Sequence, residues 1–471
     1  MPLKLFAMFK PFAYLVCLLS FTGLLAQSEI IYTIHQRSFF DSNADGNGDF
    51  TGIKQKLDYL QSFGVTTIQL APVYRLEDKK SDANTAFEKF MPQYGTFKEY
   101  IGLVNEVHRR SMKIYFEFEM DYLQTAISKN EDPKVKNNAI KGLTYWADPN
   151  KDKNFYDAPD GFVFTGMADK LNPTDKVSLF KELWLPLITS LKKINPKLQV
   201  ITYPADKNSS GYEYFEKAGV DVVYSSKLQQ AITTFNKRAI IAAADSAFVK
   251  LSEAKHSILY IEDQNTGRIA GKITNVKKLQ AATALTMLMG AGIPSIHYGQ
   301  EIGMKGGLIK AEDGTVQPFP EAFEWYKDDN GAGMAYWYKN IPALWNARAA
   351  KPADGISLEE EQADANSLFK FYISLYRLNA LELALKDKGV YKDQPNDNDD
   401  VISFTRSAKV GEVLVVINLS DKPQVAMLEN TGEVKVDKLK LLMGDPKVVF
   451  PRGGRTLSLP PYTVQVWRVL H

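Results

Sequence analysis

The stretch IIYTIHQRSFFDSNADGNGDFTGIKQKLDYLQSFGVTTIQLAPVY, residues 30–74, decides how the rest of the chain is read. Its opening, IIYTIHQ (30–36), is a short β-rich apolar run, and TTIQLAPV (66–73) is a second. Between them, FTGIKQKLDYLQSFG (50–64) spaces its apolar residues three and four apart, as an amphipathic helix does. A strand, a helix and a strand in succession predict a parallel βαβ unit. The unit recurs. Further strand candidates are KIYFEFEM (113–120), GFVFT (161–165), LQVITYP (198–204), VDVVYSS (220–226), SILYIED (257–263) and PSIHYG (294–299). Helical periodicity lies between them, as in FKEYIGLVNEVHRRS (97–111) and KKLQAATALTMLMGAG (277–292). Eight strands, each followed by a helix, predict an α/β chain with a closed (β/α)8 TIM barrel over residues 27–385. Chemistry in such barrels sits at the C-terminal ends of the strands.

Outside this region the pattern changes. From residue 386 to 471 the period is two, in VISFTRSA (401–408), EVLVVINLS (412–420) and TVQVWRVL (463–470), which predicts a C-terminal antiparallel β-sandwich. At the other end, Lys4 and Lys10 precede the apolar stretch PFAYLVCLLSFTGLLA (11–26), and Ala26 opens onto polar residues. That is the layout of a secretory signal peptide over residues 1–26, short for a membrane span. An uncleaved anchor helix is the alternative. Cleavage near Ala26 leaves no cysteine, no second spanning segment, and an exported protein in the periplasm, on the cell surface or secreted.

The chain's 57 Lys and Arg against 55 Asp and Glu leave a formal charge of +2, and both excess lysines belong to the leader. A neutral remainder gives no electrostatic argument for nucleic-acid or anionic-membrane binding. Five dispersed histidines and one cysteine give no basis for a His/Cys zinc site.

Residues 30–74, with QYGTFKEY (93–100), EVHRRSMKI (106–114), GAGIPSIHYGQEIGM (290–304) and LSLPPYTVQVWRV (457–469), resemble the α-amylase family, glycoside hydrolase family 13. The resemblance implies cleavage of α-glucosidic bonds with retention. It places an Asp nucleophile after strand four, a Glu acid/base after strand five and a stabilising Asp after strand seven. Carboxylates are required because one attacks the anomeric carbon and another protonates the leaving oxygen. Here the strand-four motif reads Gly161-Phe162-Val163-Phe164-Thr165, with Val163 in the arginine slot and Thr165 in the nucleophile slot. Strand five reads Thr202-Tyr203, so the acid/base slot holds Tyr203. Strand seven reads Asp263-Gln264-Asn265-Thr266-Gly267-Arg268, so Asn265 replaces the stabiliser and only Arg268 persists. Tyr122 and Gln264 occupy the slots of two sugar-gripping histidines. A second registration through residues 166–172 supplies no nucleophile motif either. The family's extra domain after strand three is expected as a reduced loop over 123–159.

No family carboxylate is retained. The expectation is therefore a pseudoenzyme of carbohydrate metabolism that binds an α-glucan, a maltooligosaccharide or a protein partner. Two alternatives stand: an active glycoside hydrolase with relocated carboxylates, and a structural partner in an exported complex. Glu117, Glu119 and Asp121 share parity on strand three and face the barrel axis. Glu262, Asp263, Asp169 and Asp206 follow strands seven, four and five. Clustered acids raise one another's pKa and offer a proton donor, although ion-pairing with inward Lys or Arg is the commoner arrangement. Tyr203 at a strand end is more often a packing residue than a nucleophile. For Arg268 a buried acidic partner, Glu262 or Asp263, is expected.

Asp41-Ser-Asn43-Ala-Asp45-Gly46-Asn47-Gly48-Asp49 is intact. Oxygen side chains at positions 1, 3, 5 and 9, a carbonyl at 7 and glycine at 6 suit calcium, although position 12 is Gly52 where an EF-hand has Glu. The resemblance supports calcium at this loop, and an Asp/Asn/Gly turn without metal is the alternative. The aromatic row Phe323, Trp325, Tyr326, Tyr336, Trp337 and Tyr338 offers either stacking on sugar rings or packing at the barrel–sandwich joint.

Overall fold

The computed structural model describes residues 29–75, 86–128, 133–172, 174–248, 255–290, 292–310, 314–386, 389–432 and 434–470. The leader assigned to residues 1–26 lies outside the described residues. Eight strands form a closed barrel: β1 (Ile31–Ile34), β2 (Thr67–Leu70), β3 (Lys113–Glu119), β4 (Gly161–Met167), β5 (Gln199–Pro204), β6 (Val222–Tyr224), β7 (His256–Leu259) and β8 (Ile293–His297). All neighbours are parallel, and β1 closes the ring by pairing with β8 through Ile31 and Ser295. Each strand alternates between two apolar environments. Ile31, Tyr115, Val163, Ile201, Val222, Ile258 and Ile293 fill the interior, while their neighbours pack outward under the helices. Strands buried on both faces read as near-continuous apolar runs, which is why all eight are visible in the sequence.

The crossovers carry α1 (Phe50–Gln55) and α2 (Leu57–Ser62), α3 (Phe97–Arg109), α4 (Asp121–Ser128) and α5 (Pro133–Ala147), α6 (Leu185–Ile194), α7 (Ser226–Thr234) and α8 (Lys237–Phe248), and α9 (Val276–Leu288). After β8 come α10 (Pro342–Ala347), α11 (Leu358–Ala363) and α12 (Leu368–Leu381). The order departs from the sequence reading in two places. The segment 123–159 is not a loop: it holds most of α4 and the whole of α5, whose Ala139, Leu143, Trp146 and Ala147 are buried in the main core. That apolar stripe at helical spacing needs a barrel wall to cover it. The crossover after β5 contains only the helical turn Tyr214–Ala218, ended by Gly219 in the left-handed conformation.

Among the described residues the C-terminal unit has seven strands: β9 (Val390–Asp393), β10 (Val401–Ser407), β11 (Glu412–Asn418), β12 (Gln424–Met427), β13 (Leu439–Met443), β14 (Thr456–Leu459) and β15 (Val464–Val469). They form a five-stranded antiparallel sheet, ordered β9-β10-β11-β15-β13, and a two-stranded ribbon of β12 and β14. One sheet face packs Ile402, Phe404, Val413, Val415 and Ile417 into the barrel's core, and the other packs Val401, Leu414, Val416 and Trp467 under the ribbon. Arg406 is wholly buried at the joint. Its guanidinium donates to the carbonyls of Leu288 (3.1 Å), Lys386 (2.8 Å), Gly389 (3.1 Å) and Gly290. Those bonds tie the sheet to the end of α9 and the chain before β8.

Candidate functional site

The C-terminal ends of the strands converge on a polar cluster. Glu117, on the inner face of β3, is buried, and each of its carboxylate oxygens accepts from a glutamine. Gln264 Nε2 donates to Oε1 at 2.9 Å and Gln69 Nε2, from β2, to Oε2 at 3.1 Å. Gln69 Oε1 in turn accepts from the hydroxyl of Tyr224 on β6 at 2.6 Å. Tyr224 stacks on Tyr203 from β5 with ring centroids 3.7 Å apart and planes 12° apart, and Tyr260 meets both edge-on. This network spans the barrel. The recess above it, lined by Thr33, His35, Glu117, Tyr203, Asp263, Gln264, Asn265 and His297 among others, is about 20 Å3. That is space for a water molecule. Small-molecule pockets are typically about 300 Å3 or more.

Burial pushes the Glu117 carboxyl up to about 8, with the charges of Glu119 and Asp263 adding to it and the two glutamine donors opposing. The two imidazoles are held neutral. Burial, reinforced by Arg37 and Arg268, lowers His35 to about 4, and burial, with Arg268 and His35 adding to it, holds His297 well below its ordinary value. His297 Nδ1 lies 2.9 Å from Thr33 Oγ1. Sequence reading set these histidines aside as dispersed. They meet because β1 and β8 are neighbours, a pairing that only barrel closure creates.

Of the family positions, Tyr203, Gln264 and Asn265 reach the recess. Tyr203 lies flat against Tyr224, and burial first, then Tyr224, Asp263 and Glu117, hold its phenol well above 10. A general acid works best near the operating pH, so this phenol is poorly matched to that task. Thr165 does not line the recess; its hydroxyl lies 3.5 Å from the Phe118 carbonyl. β4 runs on past it to Met167, with a break in register, and Gln124 pins the extension by bonding Gly166 O and Ala168 N. Tyr122 is in the first turn of α4, and its side chain lies outside the described residues. Arg268 is away from the recess and buried beside Glu262, its Nη1 2.9 Å from Oε1 and donating also to the Tyr298 carbonyl. Glu262 Oε2 accepts from Ile269 N at 2.7 Å, and burial holds this carboxyl above its usual range against the pull of Arg268.

The other candidate acids divide. Glu117 and Asp263 share the recess, although Asp263 Oδ1 is occupied by the amides of Asn265 and Thr266 at 2.8 and 2.7 Å. Asp169 accepts from Ser178 Oγ and Phe180 N and so holds the chain before α6, and Asp206 makes an exposed turn with Asn208 N. Glu119 and Asp121 are exposed and do not line the recess.

In the acidic loop, Asp41 accepts from the amides of Asn43, Ala44 and Gly46, Asn43 Oδ1 from Asp45 N, and Asp45 Oδ1 from Asn47 N. Asp49 caps α1 through Gly52 N at 2.7 Å and also holds Ser42. Arg37 Nε donates to Asn47 Oδ1 at 2.8 Å with its guanidinium 4.2 Å from the Trp337 ring centre. The donor set is hard oxygen, as calcium requires, with Asp41 already accepting three amides and both oxygens of Asp49 taken by Ser42 and Gly52. The arrangement is not convergent, however: among the described residues no three His, Cys, Asp or Glu are grouped to hold a metal. The aromatic row packs inward rather than facing a sugar. Phe323 and Trp325 lie edge-on to Phe39 and Tyr59, and Tyr336 and Tyr338 are buried around Trp345. Their partners belong to helices and loops around the barrel, not to the sandwich.

The family model of the alpha-amylase catalytic domain matches residues 33–185 and 195–387. Alpha-amylase 3 of Dictyoglomus thermophilum is 21% identical over 94% of this chain and 93% of its own length. Alpha-amylase SusG of Bacteroides thetaiotaomicron is 38% identical over a shorter stretch, 21% of this chain and 14% of its own. The crystal structure of the alpha-amylase from H. orenii superposes with a TM-score of 0.72 at 21% identity, covering 94% of this chain and all of that one. The family match spans the barrel, and the structural likeness runs on through the appended sheet: the chain belongs to the α-amylase family, glycoside hydrolase family 13.

Proposed function

We propose that this protein is an exported, non-hydrolytic member of its family that binds α-glucan without cleaving it. The observation that carries the reading is Tyr203. It stands where the acid/base belongs, lies flat on Tyr224 and helps close the mouth to about 20 Å3. Thr165 and Asn265 cannot attack an anomeric carbon or neutralise a developing oxocarbenium charge as carboxylates do. A glucan chain would therefore be held outside the closed mouth. Export rests on the basic and apolar leader, and no helix among the described residues is long and apolar enough to cross a membrane. Calcium in the Asp41–Asp49 loop is part of the same proposal: binding would draw Asp41, Asn43, Asp45, Asp49 and the Asn47 carbonyl in as ligands, in place of hydrogen bonds the loop now makes to itself.

A second reading is favoured by one observation. Glu117, protonated near neutral pH, shares the recess with Asp263, and a proton donor beside a carboxylate is what a relocated hydrolase needs. Native electrophoresis through gels containing amylose or glycogen tests the first reading, with retardation expected. Migration unchanged by either polymer overturns glucan binding and leaves a protein-partner scaffold. Glu117→Gln and Asp263→Asn separate the second reading, because relocated catalysis requires an activity that each of them abolishes.

A further inference from the structure

A second recess lies outside the mouth, between α7, the loop after β7 and the first turn of α9. Its volume is about 330 Å3, large enough for a small molecule. The apolar lining is aliphatic: Ile261, Ile269 and Ile273. The polar lining includes the hydroxyl-bearing Thr233 and Thr266 and the amines of Lys272 and Lys278. Among the described residues no Asp or Glu lines it. The partners of the two ammonium groups are neutral. Lys272 Nζ donates to Thr266 O at 3.1 Å, and Lys278 Nζ lies 4.5 Å from the Phe235 ring centre.

A recess that gathers two ammonium groups and no carboxylate favours an anion, whose charge both can approach. Lysine suits a phosphate or carboxylate as a compact point charge, and the Thr266 hydroxyl, which accepts from Asp263 N and keeps its own proton, can complete the contacts. The volume exceeds what a bare anion needs, and the isoleucines offer an apolar face to a ring or short chain. We propose that this recess binds a compact, sugar-sized molecule carrying one phosphate or carboxylate group. The anion would sit between Lys272 and Lys278, with the body against the isoleucines. Thr266 belongs to the turn whose Gln264 reaches Glu117, so the ligand would bear on the back of the mouth.

The test is titration calorimetry of the full mature chain at low salt with glucose 6-phosphate, glucuronate, inorganic phosphate and glucose as probes. Saturable binding of glucose 6-phosphate or glucuronate is expected, and which of the two binds tighter identifies the anion. Lys272→Gln and Lys278→Gln should each weaken it about tenfold or more, as loss of a charged hydrogen bond implies. Lys277→Gln, exposed and outside the lining, should leave it unchanged. Lys272 is exposed, so its variant keeps the test valid if Lys278→Gln, which also loses its contact with Phe235, fails to fold. Binding of glucose as tight as its phosphate, binding of inorganic phosphate as tight as the sugar anions, an unaffected Lys272→Gln, or no binding of any probe overturns the proposal.

Discussion

Replacing Glu117 by Gln should change how stability depends on pH while leaving the barrel intact. In the folded chain the carboxyl is raised from 4.5 to about 8, first by burial and then by Glu119 and Asp263. Between those pH values the folded state holds a proton that the unfolded state has released. The contribution is therefore complete below the unfolded value and is lost as pH rises through the folded one. Each pH unit in that window is worth about 1.4 kcal/mol, so from pH 5 to pH 8 the loss is on the order of 4 kcal/mol. Glutamine is nearly isosteric and cannot ionise. It leaves one of the Gln69 and Gln264 donors facing an amide N–H unless a side chain turns over, at about 1 kcal/mol independent of pH. Glu117→Gln should thus be slightly less stable than wild type at pH 5 and more stable by about 3 kcal/mol at pH 8. Glu301 and Glu324, raised to about 7 and about 8, slope the same way, so the variant keeps part of the pH dependence. Urea unfolding followed by tryptophan fluorescence across pH 5–8 measures the difference directly. Parallel wild-type and variant curves over that range would refute the reasoning.

Three further outcomes are expected. Tyr203→Ala removes a partly buried ring stacked on Tyr224 and should lower stability by about 2 kcal/mol, less than a fully buried core change, without creating hydrolysis, since enlarging the mouth supplies no nucleophile; denaturant unfolding and a maltooligosaccharide assay check both. Arg268→Ala strands the buried Glu262 and should lower stability by about 3–5 kcal/mol while leaving retardation in glucan gels unchanged; loss of retardation with stability intact makes Arg268 a ligand contact. Calcium at a hundredfold excess over its Kd should stabilise the mature protein by about 2.7 kcal/mol, and Asp45→Ala, which spares the Asp49 cap of α1, should abolish the shift; a melting temperature indifferent to chelator identifies the loop as a turn only.

The eight strands were legible because each carries apolar side chains on both faces, and Ile31, Val163, Ile201 and Ile293 look alike wherever they fall in the chain. The helices within 123–159 were not legible because the resemblance implies only a reduced loop there, and Ala139, Leu143 and Trp146 acquire meaning as a buried stripe once the barrel wall covers them. At the site, the local motifs named Thr165, Tyr203 and Asn265; of these Tyr203 and Asn265 line the recess and Thr165 does not. What those side chains do there was not legible. Gln69, Glu117, Tyr224 and Gln264 come from separate parts of the chain, and only barrel closure and strand register bring them within hydrogen-bond distance. His35 and His297 were missed for the same reason. A lone histidine at the end of a strand carries no local signal of its neighbour across the ring. Arg268 is the opposite case, since Glu262 lies six residues away on the same strand end and local reasoning could name it.

Turnover by the unmodified mature protein tests the central claim most directly. Maltoheptaose, starch and a nitrophenyl maltoside, incubated with the protein with and without calcium, should release reducing ends or nitrophenol no faster than with a heat-killed sample, because Thr165, Tyr203 and Asn265 provide neither nucleophile, acid nor stabiliser. Release clearly above that control, proportional to protein concentration, would contradict the account.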